Sequence, residues 1–243
     1  MKAVILAGGK GTRFLEETKV RPKPMIEINN KPLLLHIIDQ YIRYGIKEFI
    51  VLAGYKIEYI YEYFEEQKLT NNYEYFYKNK DIKIKVLDTG IETMTGGRIK
   101  RAEEFLGDTF LATYGDGISN INIQNLINFH QKNKKLATVT AVRPPARFGS
   151  LTIEGNLVSS FGEKISANEG WINGGFFVMS KKVLNYIDSD ETTFEKSPLE
   201  TLSSTSRLAA YKHNGFWYPV DTIREKEILE EMINNNELSW LYD

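Results

Sequence analysis

The chain opens with an unbroken apolar run, Ala3 to Ala7, that ends on glycines at positions 8, 9 and 11. A run apolar at every position, rather than at alternate ones, suits a strand covered on both faces, as in a parallel sheet with helices on each side. The glycines let the backbone turn sharply and bring main-chain N–H groups close to an anion. Lys10, Arg13, Arg21 and Lys23 follow in the same stretch and add positive charge for polyphosphate oxygens. A buried strand leaving into a basic glycine loop suits an α/β fold and reads as an anion cradle at the strand's end, against the plainer reading of a strand and turn with ordinary surface charges.

Two familiar glycine loops do not fit. A dinucleotide fingerprint needs a third glycine, and Gly9-Lys-Gly-Thr-Arg-Phe14 lacks it; Ala53-Gly54 also stands where an acidic ribose ligand is wanted after the second strand. No G-x-x-x-x-G-K-[ST] spacing occurs. What remains is a glycine turn followed by a long basic loop that is expected to stay irregular, because of Pro22 and Pro24, as far as Pro32, where a helix can begin. Long loops of this kind inside compact domains are usually functional.

With 243 residues and 42% hydrophobic content, the chain is long enough for one large domain. A net charge of −1 offers no general basic field for nucleic acid, so a small ligand is expected. No run of about 18 apolar residues is present, and the amino terminus does not resemble a signal peptide; a cytoplasmic protein with no membrane partner is the expectation. Cysteine is absent, which removes thiol nucleophiles, disulfides and thiolate zinc sites. His36, His130 and His213 are widely separated, so acid–base and metal chemistry must rest mainly on carboxylates, lysines and arginines.

Strand and helix patterns alternate along the chain. Glu48 to Ala53, Lys83 to Leu87, Thr109 to Thr113, Ala137 to Val142, Ile172 to Met179 and Leu208 to Tyr211 read as strands. Pro32 to Tyr44, Lys56 to Phe64, Gly97 to Leu106, Ile123 to Lys132, Lys181 to Ile187, a short piece near Pro198, and Arg224 to Asn235 read as helices. Ser150 to Ile153 and Leu157 to Phe161 form a hairpin pattern around Gly155, and Thr70 to Asn79 is a polar, tyrosine-rich stretch. The expected fold is a Rossmann-like mixed, mainly parallel sheet covered by helices, with its ligand site at the carboxyl ends of the strands. It is read as one domain, with about 1–118 forming a phosphate-binding part and about 119–243 the central and C-terminal part.

Asp116, between Gly115 and Gly117, ends one buried strand; Asp221 precedes the last helix, where it could equally be a helix cap. Beside a polyphosphate loop, two such carboxylates make a reasonable Mg²⁺ site, with waters and phosphate oxygens completing the octahedron.

The segments Leu6-Ala-Gly-Gly-Lys-Gly-Thr-Arg13 and Arg21-Pro-Lys-Pro-Met25 resemble the signature of the sugar-phosphate nucleotidyltransferases, and the resemblance extends over nearly the whole chain. It implies that Leu6, Ala7, Gly8, Gly9, Lys10, Gly11, Thr12, Arg13 and Lys23 contact the nucleotide, that Arg13, Lys23 and Asp116 are catalytic, and that Asp116 and Asp221 bind the metal. Glu163-Lys164 resembles the later Glu-Lys motif, which implies that Glu163 holds sugar hydroxyls and Lys164 the sugar phosphate.

Glu16-Glu-Thr18, Asp88-Thr-Gly90, Met94-Thr-Gly-Gly-Arg98, Arg147-Phe-Gly149, Ile172-Asn-Gly-Gly-Phe-Phe177 and Gly215-Phe-Trp217 are similar to the branch that uses CTP and glucose 1-phosphate. That similarity places Thr93, Arg98 and Gly115 near the nucleotide, and Gly149, Asn173 and Gly174 on the sugar-phosphate side. The partners implied are CTP and a sugar phosphate, with Mg²⁺ as cofactor, and a homo-oligomer is expected because the family is commonly oligomeric. Three departures stand out: Ile165 replaces the proline that usually follows Glu-Lys, Phe64 to Asp88 is short, and Lys10 stands where an apolar residue is common. These departures leave the nucleotide and metal set intact but bear on the acceptor, so another sugar or polyol phosphate is the alternative.

Overall fold

A computed structural model describes residues 1–65, 74–77, 81–144, 150–154, 156–162 and 170–241. The strands are β1 (Lys2–Leu6), β2 (Glu27–Ile28), β3 (Lys31–Pro32), β4 (Glu48–Ala53), β5 (Glu74–Tyr77), β6 (Ile82–Asp88) and β7 (Thr109–Tyr114), followed by β8 (Gly117–Ser119), β9 (Ala137–Val142), β10 (Ser150–Glu154), β11 (Leu157–Gly162), β12 (Ile172–Ser180), β13 (Leu208–Lys212) and β14 (Trp217–Pro219). The helices are α1 (Leu15–Thr18), α2 (Leu33–Ile42), α3 (Ile57–Glu65), α4 (Thr95–Arg101), α5 (Ile123–Asn133), α6 (Ser197–Ser204) and α7 (Ile223–Asn234).

Eight strands form one sheet in the order β13-β9-β12-β7-β1-β4-β6-β5. Strand β1 pairs in parallel with β4 on one side and β7 on the other, and β4 pairs in parallel with β6. Strands β5 and β12 run against their neighbours, while β13 and β9 are parallel to each other. The sheet is thus mixed and mainly parallel, and its chain order departs in both directions from β1. Such a reversal opens a crevice at the carboxyl ends of the strands.

Side chains of β1 go alternately to the two faces: Ala3 and Ile5 join the core beneath α2, α3 and α5, whereas Val4 joins the core shared with α4 and α6. A third apolar cluster lies away from the sheet, where Leu229 and Ile233 of α7 pack with Phe14, Ile26, Ile28 and Leu33 from the segment after the glycine loop. The end of the described chain thereby supports its beginning.

Several expected elements shift. The segment from Thr12 to Pro32 is not irregular: 3₁₀ turns at Thr12–Phe14 and Lys23–Met25, helix α1 and the β2–β3 ladder fill it. The Thr18 hydroxyl donates to Phe14 O at 3.0 Å, and Tyr55 donates to Thr18 O, which ties the segment to the chain after β4. Pro24 falls inside a 3₁₀ start, where its missing N–H does no harm. Strand β5 arises within the tyrosine-rich stretch, buried through Tyr75 against Phe64. Lys181–Tyr186 is a 3₁₀ helix, as is common for a short piece pinned between a strand and an extended exit. Helix α4 starts at Thr95 and stops at Arg101, since Ala102 leaves helical geometry before a 3₁₀ turn at Glu103–Phe105. Gly155, within the expected hairpin, lies outside the described residues.

Candidate active site

The carboxyl ends of β1 and β7 and the loop after β6 border a cavity of about 430 Å³ lined by the glycine loop, Lys23, Ile91 to Thr95, Arg98, and Tyr114 to Asp116. Leu6, Ala7, Gly8, Gly9, Lys10, Gly11, Thr12, Arg13, Lys23, Thr93, Arg98, Gly115 and Asp116 therefore share one wall system. The loop is anchored at both sides, since Ala7 N donates to Leu52 O at 2.9 Å and Gly115 N to Leu6 O at 3.0 Å. Gly11 has φ of +61°, a left-handed conformation that favours glycine.

Four charged groups meet at the mouth. Lys23, almost fully buried, donates to Asp116 Oδ2 at 2.7 Å and to Asp221 Oδ1 at 2.5 Å, and Arg13 donates to Asp221 Oδ2 at 2.6 Å. The helix cap beside them is Thr222, whose hydroxyl accepts from Glu225 N, while the Glu225 carboxylate accepts from Asp221 N. Asp221 is thereby left free of capping and directs its side chain to the cluster. Asp116 and Asp221 offer hard oxygen donors that already converge on one cationic centre, the Lys23 ammonium, so the donor set fits a magnesium ion completed by waters and phosphate oxygens. Among the described residues no group of three or more His, Cys, Asp or Glu side chains could hold a metal unaided.

Arg98 serves the architecture of the cavity. Its guanidinium is buried and donates to Gly8 O, Ala53 O, Thr89 Oγ1, Gly90 O and Ile91 O over 2.6–3.2 Å, joining the exits of β1, β4 and β6. A Cβ on Gly8 would stand 2.1 Å from Arg98 Nη1, so glycine is needed there for close approach. Burial, with Arg101 nearby, pulls the Arg98 pKa down from its ordinary value.

Toward the other end, Tyr114 donates to Glu195 Oε1 at 2.6 Å and accepts from Asn173 Nδ2 at 3.1 Å, while Thr95 donates to Glu195 Oε2. Burial and the neighbouring Glu195 push the Tyr114 phenol up, which keeps it a neutral donor. Gly174 sits next to this network, with its carbonyl accepting from Trp217 Nε1 at 2.8 Å. Gly149, Glu163 and Lys164 lie outside the described residues. Nothing in the sequence Thr193-Phe-Glu-Lys196 marks Glu195, and only the fold brings it to Tyr114. Glu92, which pairs with Lys10 at 2.6 Å across the mouth, likewise carries no mark in the sequence. The histidines stand apart: His36 meets Ile28 O, His130 meets Thr138 Oγ1 and His213 meets Phe216 O.

A basic glycine loop facing two aspartates at the exits of a mixed, mainly parallel sheet defines a class, and comparison with known proteins agrees: the chain belongs to the Nucleotidyl transferase family, which matches residues 2–225. It is 46% identical over 253 aligned positions to the glucose-1-phosphate cytidylyltransferase of Salmonella typhi, covering 99% of this chain and 98% of that one. It is 44% identical over 252 positions to a probable glucose-1-phosphate cytidylyltransferase of Bacillus subtilis, covering 99% of both. In three dimensions it is similar to HddC from Yersinia pseudotuberculosis, with a TM-score of 0.70 at 24% identity over 96% of this chain and 99% of that one, a likeness of fold. Among the described residues no helix is long and apolar enough to cross a membrane.

Proposed function

We propose that this protein joins CTP and α-D-glucose 1-phosphate to give CDP-glucose and pyrophosphate. The observation that carries the reading is the meeting of Arg13, Lys23, Asp116 and Asp221 beside the glycine loop, and the full-length identity with two cytidylyltransferases supports the choice of nucleotide and acceptor. In this reading residues 1–118 form the nucleotide half, and 119–243 supply the sugar-phosphate half and the C-terminal support.

The reaction is an in-line displacement. A phosphate oxygen of the acceptor bonds to the α-phosphorus of CTP, and the bond from that phosphorus to the bridging oxygen of pyrophosphate breaks. The attacking oxygen is already ionised at neutral pH, so no general base is required. The obstacle is electrostatic: two anions approach while negative charge grows on the leaving group. Main-chain N–H groups of Gly8 to Thr12 cradle the polyphosphate, with Arg13 and Lys23 placed to neutralise the α-phosphoryl oxygens and the leaving pyrophosphate. Sugar nucleotidyltransferases are in general Mg²⁺-dependent, and Asp116 and Asp221 would hold the ion, which supplies charge neutralisation when bound. Thr93, Gly115 and the Arg98-braced wall border the nucleotide; Asn173 and Gly174 border the sugar, with Glu163, Lys164 and Gly149 assigned there by family resemblance.

The test is pyrophosphate release with Mg²⁺, a panel of nucleoside triphosphates, and glucose 1-phosphate beside other sugar and polyol phosphates, with products weighed by mass spectrometry. CDP-glucose as the preferred product is expected. Turnover with CTP confined to another acceptor would move the function to a different CDP-linked product and point to the Glu163 to Ile165 segment. No turnover with CTP would overturn the reading.

A further inference from the structure

We infer that Lys23 is an internal placeholder for the divalent cation, exchanging its carboxylate partners for phosphate oxygens when metal and nucleotide bind together. The inference rests on the cytidylyl-transfer reading and deepens it.

The Lys23 ammonium stands 2.7 Å from Asp116 Oδ2 and 2.5 Å from Asp221 Oδ1, bridging the two carboxylates from an almost fully buried position. A magnesium ion binds carboxylate oxygens at about 2.0–2.1 Å. An ammonium and a divalent ion therefore cannot both bridge the same pair of oxygens. Asp221 Oδ2 is held by Arg13, so an ion that bridges the two carboxylates through the oxygens facing Lys23 displaces the ammonium from them.

Charge decides when that happens. Asp116 and Asp221 are matched by Lys23 and by Arg13, which sits 2.6 Å from Asp221, so the four formal charges cancel. Entry of a divalent ion alone would drive a buried ammonium off its partners and leave an uncompensated excess of positive charge in a part-buried site, which is costly. A nucleoside triphosphate reverses the balance. Its phosphates offer Lys23 and Arg13 new anionic partners close by, because both residues and the glycine loop line the same cavity. Arg13 is mostly exposed and can turn toward them, whereas Lys23 needs only to change which oxygens it faces. Metal and nucleotide are thus coupled: each raises the affinity for the other. The exchange also prevents a bare ion from settling between the aspartates without substrate.

The experiment is a Mn²⁺ titration without nucleotide, read from the electron paramagnetic resonance signal of the free aqua ion, on wild type, Lys23→Met and Lys23→Arg. Lys23→Met should bind Mn²⁺ at least ~10-fold more tightly than wild type, equivalent to about 1.4 kcal/mol, while Lys23→Arg, which keeps the charge, should stay at the wild-type value. Equal affinity of wild type and Lys23→Met overturns the exchange.

A second measurement uses wild-type protein labelled with ¹⁵N-lysine, in which the Lys23 ammonium resonance is identified by its absence from Lys23→Arg. The resonance should be unmoved by millimolar Mg²⁺ alone and should shift when CTP is added with Mg²⁺. Displacement by Mg²⁺ alone overturns the proposal. These readouts contain no turnover, so failure of the exchange is distinct from failure of the cytidylyl-transfer reading, which shows as absence of pyrophosphate release with CTP.

Discussion

At the scale of single residues, the four-charge cluster and the Arg98 brace make different demands. Asp116→Asn or Arg13→Ala should lower turnover by at least ~100-fold, the scale of removing a preorganised charged group. Near wild-type rates for both variants would contradict their assigned roles. Arg98→Met should act on stability instead, because it strips partners from a ring of main-chain oxygens at three strand ends. Leaving such buried acceptors unpaired costs roughly 1–3 kcal/mol each where water cannot replace the donor, so urea unfolding should show a loss of at least ~2 kcal/mol. The four charged residues were legible because their types and neighbours announce anion and metal chemistry. The use of the Arg98 donors was not, since a helix arginine followed by another basic pair looks the same whether it faces a nucleotide or a backbone. Gly8 held half of that information: the contact that requires glycine is with a side chain 90 positions away.

At the scale of elements, strands that are apolar throughout were read almost to the residue, and β9 coincides with its expected span of Ala137–Val142. What escaped was pairing too short to leave a pattern, such as β8 with β14, which exists because residues 117–119 and 217–219 meet across the fold. Helix α7 illustrates a local rule with a distant effect. Thr222→Ala removes its cap and should cost about 1 kcal/mol, measurable by urea denaturation, and it should also loosen Asp221 next to it.

Helix α2 carries a titration. Burial lowers the His36 pKa from 6.5 to about 4, with Lys31 and Arg43 adding to the fall and the Ile28 carbonyl and Asp39 opposing it. The unfolded chain therefore binds a proton between these values that the fold refuses. Stability should decline as pH falls from about 6.5 toward 4, by at most about 3 kcal/mol from this group, and His36→Gln should flatten that part of the profile. An unchanged slope in the variant would contradict the assignment.

At the scale of the whole molecule, the segment after the glycine loop depends on a helix far away in sequence. Leu229 of α7 is fully buried among residues that include Phe14, Ile26 and Ile28. Leu229→Ala should cost about 2–5 kcal/mol in equilibrium unfolding and should raise the KM for nucleotide, since the segment it supports carries Arg13 and Lys23. A variant that loses stability but keeps its nucleotide KM would show that α7 supports the fold without shaping the loop. The general layout, a helix-covered sheet with a site at the strand exits, followed from the alternation of strand and helix patterns. The third core did not, because each of its contributing stretches is an ordinary amphipathic segment until the two ends meet.

The contact between Arg13 and Asp221 spans 208 positions. During synthesis the glycine loop emerges from the ribosome long before the second aspartate has been translated. Until then the loop and Lys23 lack one of their two carboxylates, and the apolar side chains of Phe14, Ile26 and Ile28 lack α7. Prematurely terminated fragments that stop short of Asp221 should therefore be sticky and inert, easily recognised by proteases and unable to hydrolyse or divert nucleotide. Completeness of the polypeptide becomes a condition for chemistry.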